Sequence, residues 1–355
     1  MSQEKVLMKG NEAMAEAAIR AGCRFFFGYP ITPQTEVAAY MAKRMPKEGG
    51  TYLQAESEIA AINMVYGASS AGARVMTSSS SPGVSLKGEG VSYMAGADLP
   101  GVIVNVQRGG PGLGGIQPSQ SDYWQATRAM GHGDFQVLVF APSTVQEMAD
   151  LAYLAFEKAD EYRMPAMILS DGMLGQMMEP VVLPERVEQL PEKPWATTGH
   201  KGQRKHNIVD SLYLTADELE RLNVERFERY ETVKAREQRA EAFMCDDAEI
   251  VLVSFGATSR IAHSAVVCAR AEGIKAGLLR PITLWPFPVD AIEGCMGTAK
   301  AFLSVEMNMG QMVDDVRLAV NGRVPVEFFG RTGGIIPTPD EVLGAIRKLA
   351  GKGGE

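Results

Sequence analysis

Short apolar, β-branched runs alternate with helix-period segments along most of the chain. That alternation permits little besides a mostly parallel sheet covered by helices on both faces. Residues 24–27, 51–54, 74–77, 102–106, 136–140 and 165–169 have the length and composition of strands. Between them, Asn11 is placed to cap a helix that runs to Arg20 and is closed by Gly22. Residues 34–44 and 56–71 read as further helices, and Ser143 with Gln146 forms a capping box for a helix over 143–160.

Residues from about 180 to 247 break the rhythm. Pro180, Pro184, Pro191 and Pro194 punctuate an extended stretch, and Thr215 with Glu218 opens a long helix to about residue 243. Its Glu and Arg residues recur at i,i+4 spacing, so it reads as a solvated connector or one lying across a partner surface. A second α/β block follows, with strands over 249–254, 276–279, 301–305 and 324–329. A last helix begins at the Thr338–Glu341 box with Pro339 in its first turn. At 355 residues the chain is long enough for two domains with ample cores. The division expected is 1–180, a charged linker over 181–247, and 248–355.

A formal net charge of −8 argues against nucleic acid as the main partner. No apolar run approaches the roughly 20 residues that a membrane span requires. The N-terminus, Met1-Ser-Gln-Glu-Lys5, lacks the apolar core of a signal peptide, and the cytoplasm is expected. The four cysteines, Cys23, Cys245, Cys268 and Cys295, form no C-x-x-C, so this chain builds no iron–sulfur site or zinc ribbon; they read as buried free thiols. Four dispersed histidines offer no metal centre, and twenty methionines read as adaptable core filler.

In open parallel sheets, ligands bind beyond the carboxyl ends of the strands, and four clusters fall there. Gly28-Tyr-Pro-Ile-Thr-Pro33 is a turn that two prolines make rigid around Thr32; it equally fits an ordinary loop with Thr32 as helix N-cap and Pro33 after it. Gln54-Ala-Glu-Ser-Glu58 puts a carboxylate in a helix's first turn. That is usually a solvated glutamate, but the apolar residues after Glu58 would desolvate it and raise its proton affinity. Thr77-Ser-Ser-Ser-Ser-Pro-Gly83 is either a polar surface loop or a set of small donors allowing close approach of a ligand. Gln107-Arg-Gly-Gly-Pro-Gly-Leu-Gly-Gly115 contains G-x-G-x-x-G, but Pro118 follows soon and no helix is indicated at Gly115, as a dinucleotide fingerprint demands. Arg108 there suits a substrate carboxylate, or is an ordinary surface arginine.

Walker, nucleophile-elbow and H-E-x-x-H motifs are missing, and His132 has no evident nucleophile partner, so it reads as structural. Glu306-Met-Asn308 and Arg280-Pro281 end strands of the second block and offer further ligand edges. The residues alone lead to a two-domain α/β protein with a candidate acid, a candidate anion-binding arginine and a glycine-rich loop.

Together, the Gly28–Pro33 turn, Glu56-Ser-Glu-Ile-Ala-Ala61, Thr77–Gly83 and the Arg108 loop resemble one family: the α subunits of thiamine-diphosphate-dependent 2-oxoacid:ferredoxin oxidoreductases. The similarity covers nearly the whole chain, including Leu279-Arg-Pro-Ile-Thr-Leu-Trp-Pro-Phe-Pro288 and Val305-Glu-Met-Asn-Met-Gly-Gln311. Within the family it is most similar to the branched-chain (3-methyl-2-oxobutanoate) type, with the 2-oxoglutarate type close behind. The resemblance implies an α/β chain with a pyrimidine-binding-type parallel-sheet domain followed by a transketolase C-terminal-like domain, the latter mainly structural and subunit-facing.

It also implies that Glu58 contacts N1′ of the thiamine aminopyrimidine, that Pro30 and Ser81 lie against the cofactor, and that Thr32 and Arg108 hold the 2-oxoacid. Coenzyme A is implied as co-substrate. The chain lacks a Gly-Asp-Gly diphosphate motif, Ser170-Asp-Gly172 being nearest, and it supplies no metal ligands. A β subunit is therefore expected to bring the diphosphate and Mg²⁺ site. Gamma and ferredoxin-like delta subunits are expected to bring 4Fe-4S clusters, with ferredoxin as acceptor. Two rivals remain: a nicotinamide-dependent dehydrogenase, which needs a helix right after Gly115, and a non-catalytic assembly subunit.

Overall fold

Six of the strand-length runs fall into one seven-stranded sheet, as near-continuous apolar strands require when both faces are covered. The computed structural model describes residues 4–128 and 130–351. The reading of the N-terminus rests partly on residues 1–3, and the second block's expected end on 352–355; both lie outside the described residues.

In chain order, β1 (Val6–Lys9) leads into α1 (Gly10–Arg20), followed by β2 (Phe25–Gly28), α2 (Thr35–Arg44), β3 (Thr51–Gln54) and α3 (Glu58–Ser70). Next come β4 (Val75–Ser79), α4 (Ser81–Gly96), β5 (Gly101–Gln107), α5 (Tyr123–Thr127), β6 (Leu138–Phe140) and α6 (Val145–Tyr162). β7 (Pro165–Asp171), α7 (Gly172–Gln176) and β8 (Met178–Val181) complete the first half. After an irregular stretch come α8 (Ala216–Arg236), β9 (Ala240–Phe243), β10 (Ile250–Val253), α9 (Gly256–Ala271), β11 (Ala276–Pro281) and β12 (Thr283–Trp285). The chain ends through α10 (Val289–Cys295), β13 (Ala301–Glu306), α11 (Met312–Val320), β14 (Val326–Gly330) and α12 (Pro339–Leu349).

The large sheet has the order β12-β6-β7-β5-β4-β2-β3, parallel throughout except for β12, which runs antiparallel to β6. From β2 the chain moves outward to β3, then returns to the other side of β2 as β4 and continues to β5. That reversal opens a crevice at the carboxyl ends of β2 and β4, the place where such sheets bind ligands. A second sheet, β14-β13-β10-β11-β9, has its own core of Ile250, Leu252, Leu278, Val305 and Ile346. Each such side chain, fully buried, contributes about 1.5–3 kcal/mol.

Several local expectations are corrected. Asn11 does not cap α1: Lys9 precedes the helix, and the buried Asn11 amide donates instead to the Pro33 carbonyl (3.0 Å) and to Glu36 (3.2 Å). The box at α6 slips by one residue. Thr144 accepts from the Glu147 amide (3.1 Å), while Glu147 accepts from the Ser143 amide (2.8 Å). Thr338–Glu341 forms the reciprocal box expected, whereas Thr215 makes no side-chain cap. The connector helix stops at Arg236, because residues 240–243 pair antiparallel with β11 as β9. It is not wholly solvated either: Arg226, Tyr230 and Val233 are buried, and the Tyr230 ring meets Trp285 edge-on at 5.5 Å. β12 gives residues of the second block to the first sheet, and β1 with β8 forms an unforeseen antiparallel pair. Cys268 is exposed, unlike the other three cysteines. No helix among the described residues is long and apolar enough to cross a membrane.

Candidate active site

Ser57 caps α3, its hydroxyl accepting from the Ala60 amide at 3.1 Å, and this sets Glu58 at the helix's first position. Glu58 is only 6% exposed, so it is not the solvated first-turn glutamate of the alternative reading. It faces α4 across Gly83, where a Cβ would stand 2.5 Å from Glu58 Oε1 and 2.2 Å from Ser79 Oγ. Glycine is therefore required at position 83 by close approach.

The serine run between β4 and α4 is buried, not a surface loop. Ser78 donates to Gln34 Oε1 (2.6 Å), but the Ser79 and Ser80 hydroxyls have no partner. Buried hydroxyls without partners are costly and rare, and they point to a group that completes the site. Ser81 is engaged otherwise. Its hydroxyl donates to Asp122 (2.6 Å) and accepts from the Arg108 amide (3.1 Å), and its own amide donates to Asn105 (3.1 Å). These bonds hold Ser81 at a positive φ of 26°. Burial raises the Asp122 carboxyl above the usual aspartate range, against bonds from Ser81 and Asn105 and the charge of Arg108.

Arg108 is buried and reaches back over the mouth of the crevice. Nη1 donates to the Thr32 carbonyl (2.9 Å) and Nη2 to the Leu113 carbonyl (3.1 Å), while Nε has no partner. Thr32 and Arg108 are thus brought together, through the Thr32 backbone. Thr32 does not cap α2, which starts at Thr35 after Gln34, and its side chain is exposed, as is Pro30.

The glycine loop curls on itself. The Gly115 amide donates to the Gly109 carbonyl (2.9 Å), and a Cβ on Gly114 would lie 1.7 Å from that oxygen. No helix follows until Tyr123, which removes the basis for a dinucleotide fingerprint. Between this loop and the second sheet lies a cleft of about 530 Å³, lined by Ser81, Gly110, Asp122, Asn308 and Thr332 among others.

Other candidates fall outside the crevice or are fully engaged. Glu306 is buried and accepts from the amides of Met312 (2.8 Å) and Val313 (2.9 Å), from Asn308 (2.9 Å) and from Ser304 (2.8 Å). Arg280 is held by Glu147 and Glu241. Asp171 caps α7 through the Met173 and Leu174 amides, and burial pushes its carboxyl up to about 6. His132 is exposed, meets the edge of Tyr93 at 6.2 Å and accepts from the Ser92 hydroxyl through its carbonyl (2.7 Å). Among the described residues, no group of three or more His, Cys, Asp or Glu is placed to hold a metal ion.

Sequence reading missed Asn105, Asp122 and Lys87. Lys87 is fully buried in α4, and its ammonium donates to Thr77 Oγ1 (3.1 Å). Its signal was available: Val84, Lys87 and Val91 share one helical face, and both valines are core residues.

Comparison with known proteins finds relatives of this chain. Residues 16–244 match the pyruvate flavodoxin/ferredoxin oxidoreductase thiamine-diphosphate-binding family, and residues 248–342 match the pyruvate:ferredoxin oxidoreductase core domain II. The chain is 51% identical over 346 residues to the ketoisovalerate oxidoreductase subunit VorB of Methanothermobacter thermautotrophicus, covering 97% of this chain and 98% of that protein. The solved 2-oxoglutarate:ferredoxin oxidoreductase of Magnetococcus marinus, with 2-oxoglutarate, coenzyme A and succinyl-CoA bound, superposes with a TM-score of 0.84 at 28% identity. That match covers 98% of this chain and 65% of the Magnetococcus chain. A split-gene transketolase, at a TM-score of 0.60 and 14% identity over 98% of both chains, shares the fold.

Proposed function

Since the chain belongs to the family of thiamine-diphosphate-dependent 2-oxoacid:ferredoxin oxidoreductases, as an alpha-type subunit, we propose that it serves the coenzyme A-dependent oxidative decarboxylation of 3-methyl-2-oxobutanoate. The products are the branched acyl-CoA and CO₂, with the electrons passed to ferredoxin. The observation that carries the site is the buried Glu58 carboxylate under Gly83, beside the partnerless hydroxyls of Ser79 and Ser80. The branched substrate is supported by the 51% identity to a ketoisovalerate oxidoreductase subunit. The Magnetococcus relative makes 2-oxoglutarate the competing substrate.

The crevice fits the aminopyrimidine end of thiamine diphosphate: an acid, small hydroxyls in need of partners, and a glycine whose Cβ would fill the space. When bound, the cofactor supplies an acidic thiazolium carbon able to attack a 2-oxoacid. Glu58 would hold a proton opposite the pyrimidine N1′, which calls for a carboxyl in a dry setting. Ser79 and Ser80 would donate to the ring's acceptors, with Pro30 and Ser81 shaping the walls. Arg108 would present its free Nε–H to the substrate carboxylate, while the Thr32 and Leu113 carbonyls hold the guanidinium in place. Its contribution is to binding and orientation.

This division gives residues 1–180 the cofactor's pyrimidine and leaves 248–355 a subunit-facing role, with 181–247 joining them. A β subunit would bring the diphosphate and Mg²⁺ site, and gamma and ferredoxin-like delta subunits the 4Fe-4S clusters. The complex would work in the cytoplasm, with coenzyme A and ferredoxin as its co-substrates. Purification of the chain with its partners, followed by thiamine-dependent viologen reduction on a panel of 2-oxoacids, tests the reading. Preference for 3-methyl-2-oxobutanoate supports it, and preference for 2-oxoglutarate replaces the substrate. Full turnover with Glu58→Gln would instead favour an assembly subunit.

A further inference from the structure

A lysine with no exposed surface is unusual, and Lys87 lies one helical turn beyond Gly83, the residue against which Glu58 rests. Its ammonium donates to Thr77 Oγ1 at 3.1 Å, and no carboxylate lies within 4.0 Å of it among the described residues. The elements packed on it bring one other charge near. α3 carries a single charged side chain, Glu58, and β4 and β5 carry none. β7 ends in Asp171, which is turned to cap α7. On α4 itself Glu89 is exposed and bonded to Tyr93, while Asp122 and Arg108 stand at the helix's start beside Ser81.

We propose that Lys87 is a positioning residue for Glu58: its ammonium, held by Thr77 one helical turn beyond Gly83, keeps a positive charge on the face of α4 that the Glu58 carboxylate meets. This rests on the reading of Glu58 as the acid that faces the cofactor. Burial pushes the Lys87 ammonium down to about 8, against the pull of Glu58, so it keeps its charge at neutral pH. A lysine kept only for packing would have no need of that charge, because exchanging a buried ion for a well-packed apolar side chain is often neutral or stabilising.

The test uses the complete multisubunit complex carrying Lys87→Met or Lys87→Arg. Two readouts are taken: the pH of the transition in the near-ultraviolet circular dichroism of bound thiamine diphosphate, and the pH profile of kcat/KM. In Lys87→Met both transitions are expected to move upward by about one pH unit or more, as removal of a neighbouring positive charge requires. The thermal midpoint is expected not to fall, and Lys87→Arg to keep the wild-type transitions. An unmoved transition in Lys87→Met overturns the proposal, as does a lowered midpoint with an unchanged profile, which marks a packing role. If Lys87→Met does not assemble, Lys87→Gln carries the same loss of charge; failure of both also overturns it. Glu58→Gln separates the two readings: if it keeps wild-type turnover and the same dichroic transition, the assignment of Glu58 fails independently of Lys87.

Discussion

The carboxyl ends of the two parallel sheets are built alike and finished differently. Beyond β4 and β5 of the large sheet, Ser79, Ser80 and Arg108 keep buried polar atoms without partners. Beyond β10 and β13 of the smaller sheet, the polar groups are closed on one another. Glu306 takes the amides of α11, and Ser254 donates to the Val305 carbonyl (2.9 Å). Gln120 joins Phe255, Thr258, Met307 and Asn308 through its side chain and backbone. One edge is left with capacity for a ligand and the other is sealed, so strand-end position alone does not make a site. Unused hydrogen-bonding capacity does.

The sharpest way to break this contrast is at Glu58. In the assembled complex, Glu58→Gln is expected to lower kcat by about 10²–10⁴-fold, the usual worth of a positioned acid, with little change in thermal midpoint. Turnover near wild type would leave the open edge without chemistry. On the sealed edge, Glu306→Ala strands several buried donors and is expected to cost about 3 kcal/mol of stability while leaving KM for the 2-oxoacid unchanged. Thermal unfolding and steady-state kinetics read the two effects separately, and a raised KM with intact stability would erase the distinction.

Asp171 sharpens the comparison from within the large sheet, because its carboxylate is closed in the α7 cap while the buried Ser170 hydroxyl beside it has no partner. Its carboxyl lies at about 6 in the fold against an ordinary 3.8, so the folded state binds the proton more tightly. The contribution of Asp171 to stability is then fully present below about pH 4 and is lost as pH rises through about 6, by up to about 3 kcal/mol. Asp171→Asn can keep the cap and is expected to flatten that slope in pH-dependent denaturation. The smallest effect is at Arg108: replacement by Ala is expected to raise KM about 30-fold, near 2 kcal/mol, with kcat less affected. Unchanged KM for every 2-oxoacid tried would remove the arginine from substrate binding.

Much of this contrast was legible in the residues. The parallel strands, the clusters at their ends and the apolar surroundings of Glu58 follow from periodicity and composition, which are local. What escaped depends on partners distant in the chain. The engagement of Ser81 needs Asn105 and Asp122, and the tie between Arg108 and Thr32 runs through a carbonyl that every residue possesses. Lys87 was missed for another reason: its place between Val84 and Val91 on one helical face was in the sequence, but a lysine there is easily taken for a surface residue. β9 and β12 are three or four residues long and owe their strand form to neighbours in the sheets, not to their own sequence.

β12 and Gln120 also have a mechanical consequence. The second block is sewn into the edge of the first sheet at Thr283 and Trp285, Gln120 pins it again at Phe255 and Met307, and Arg280–Glu147 and Tyr123–Asp315 tie it further. Hinge opening between the halves would have to break all of these ties. The gap from Gly110 to Asn308 therefore lies between two blocks tied together on either side of it.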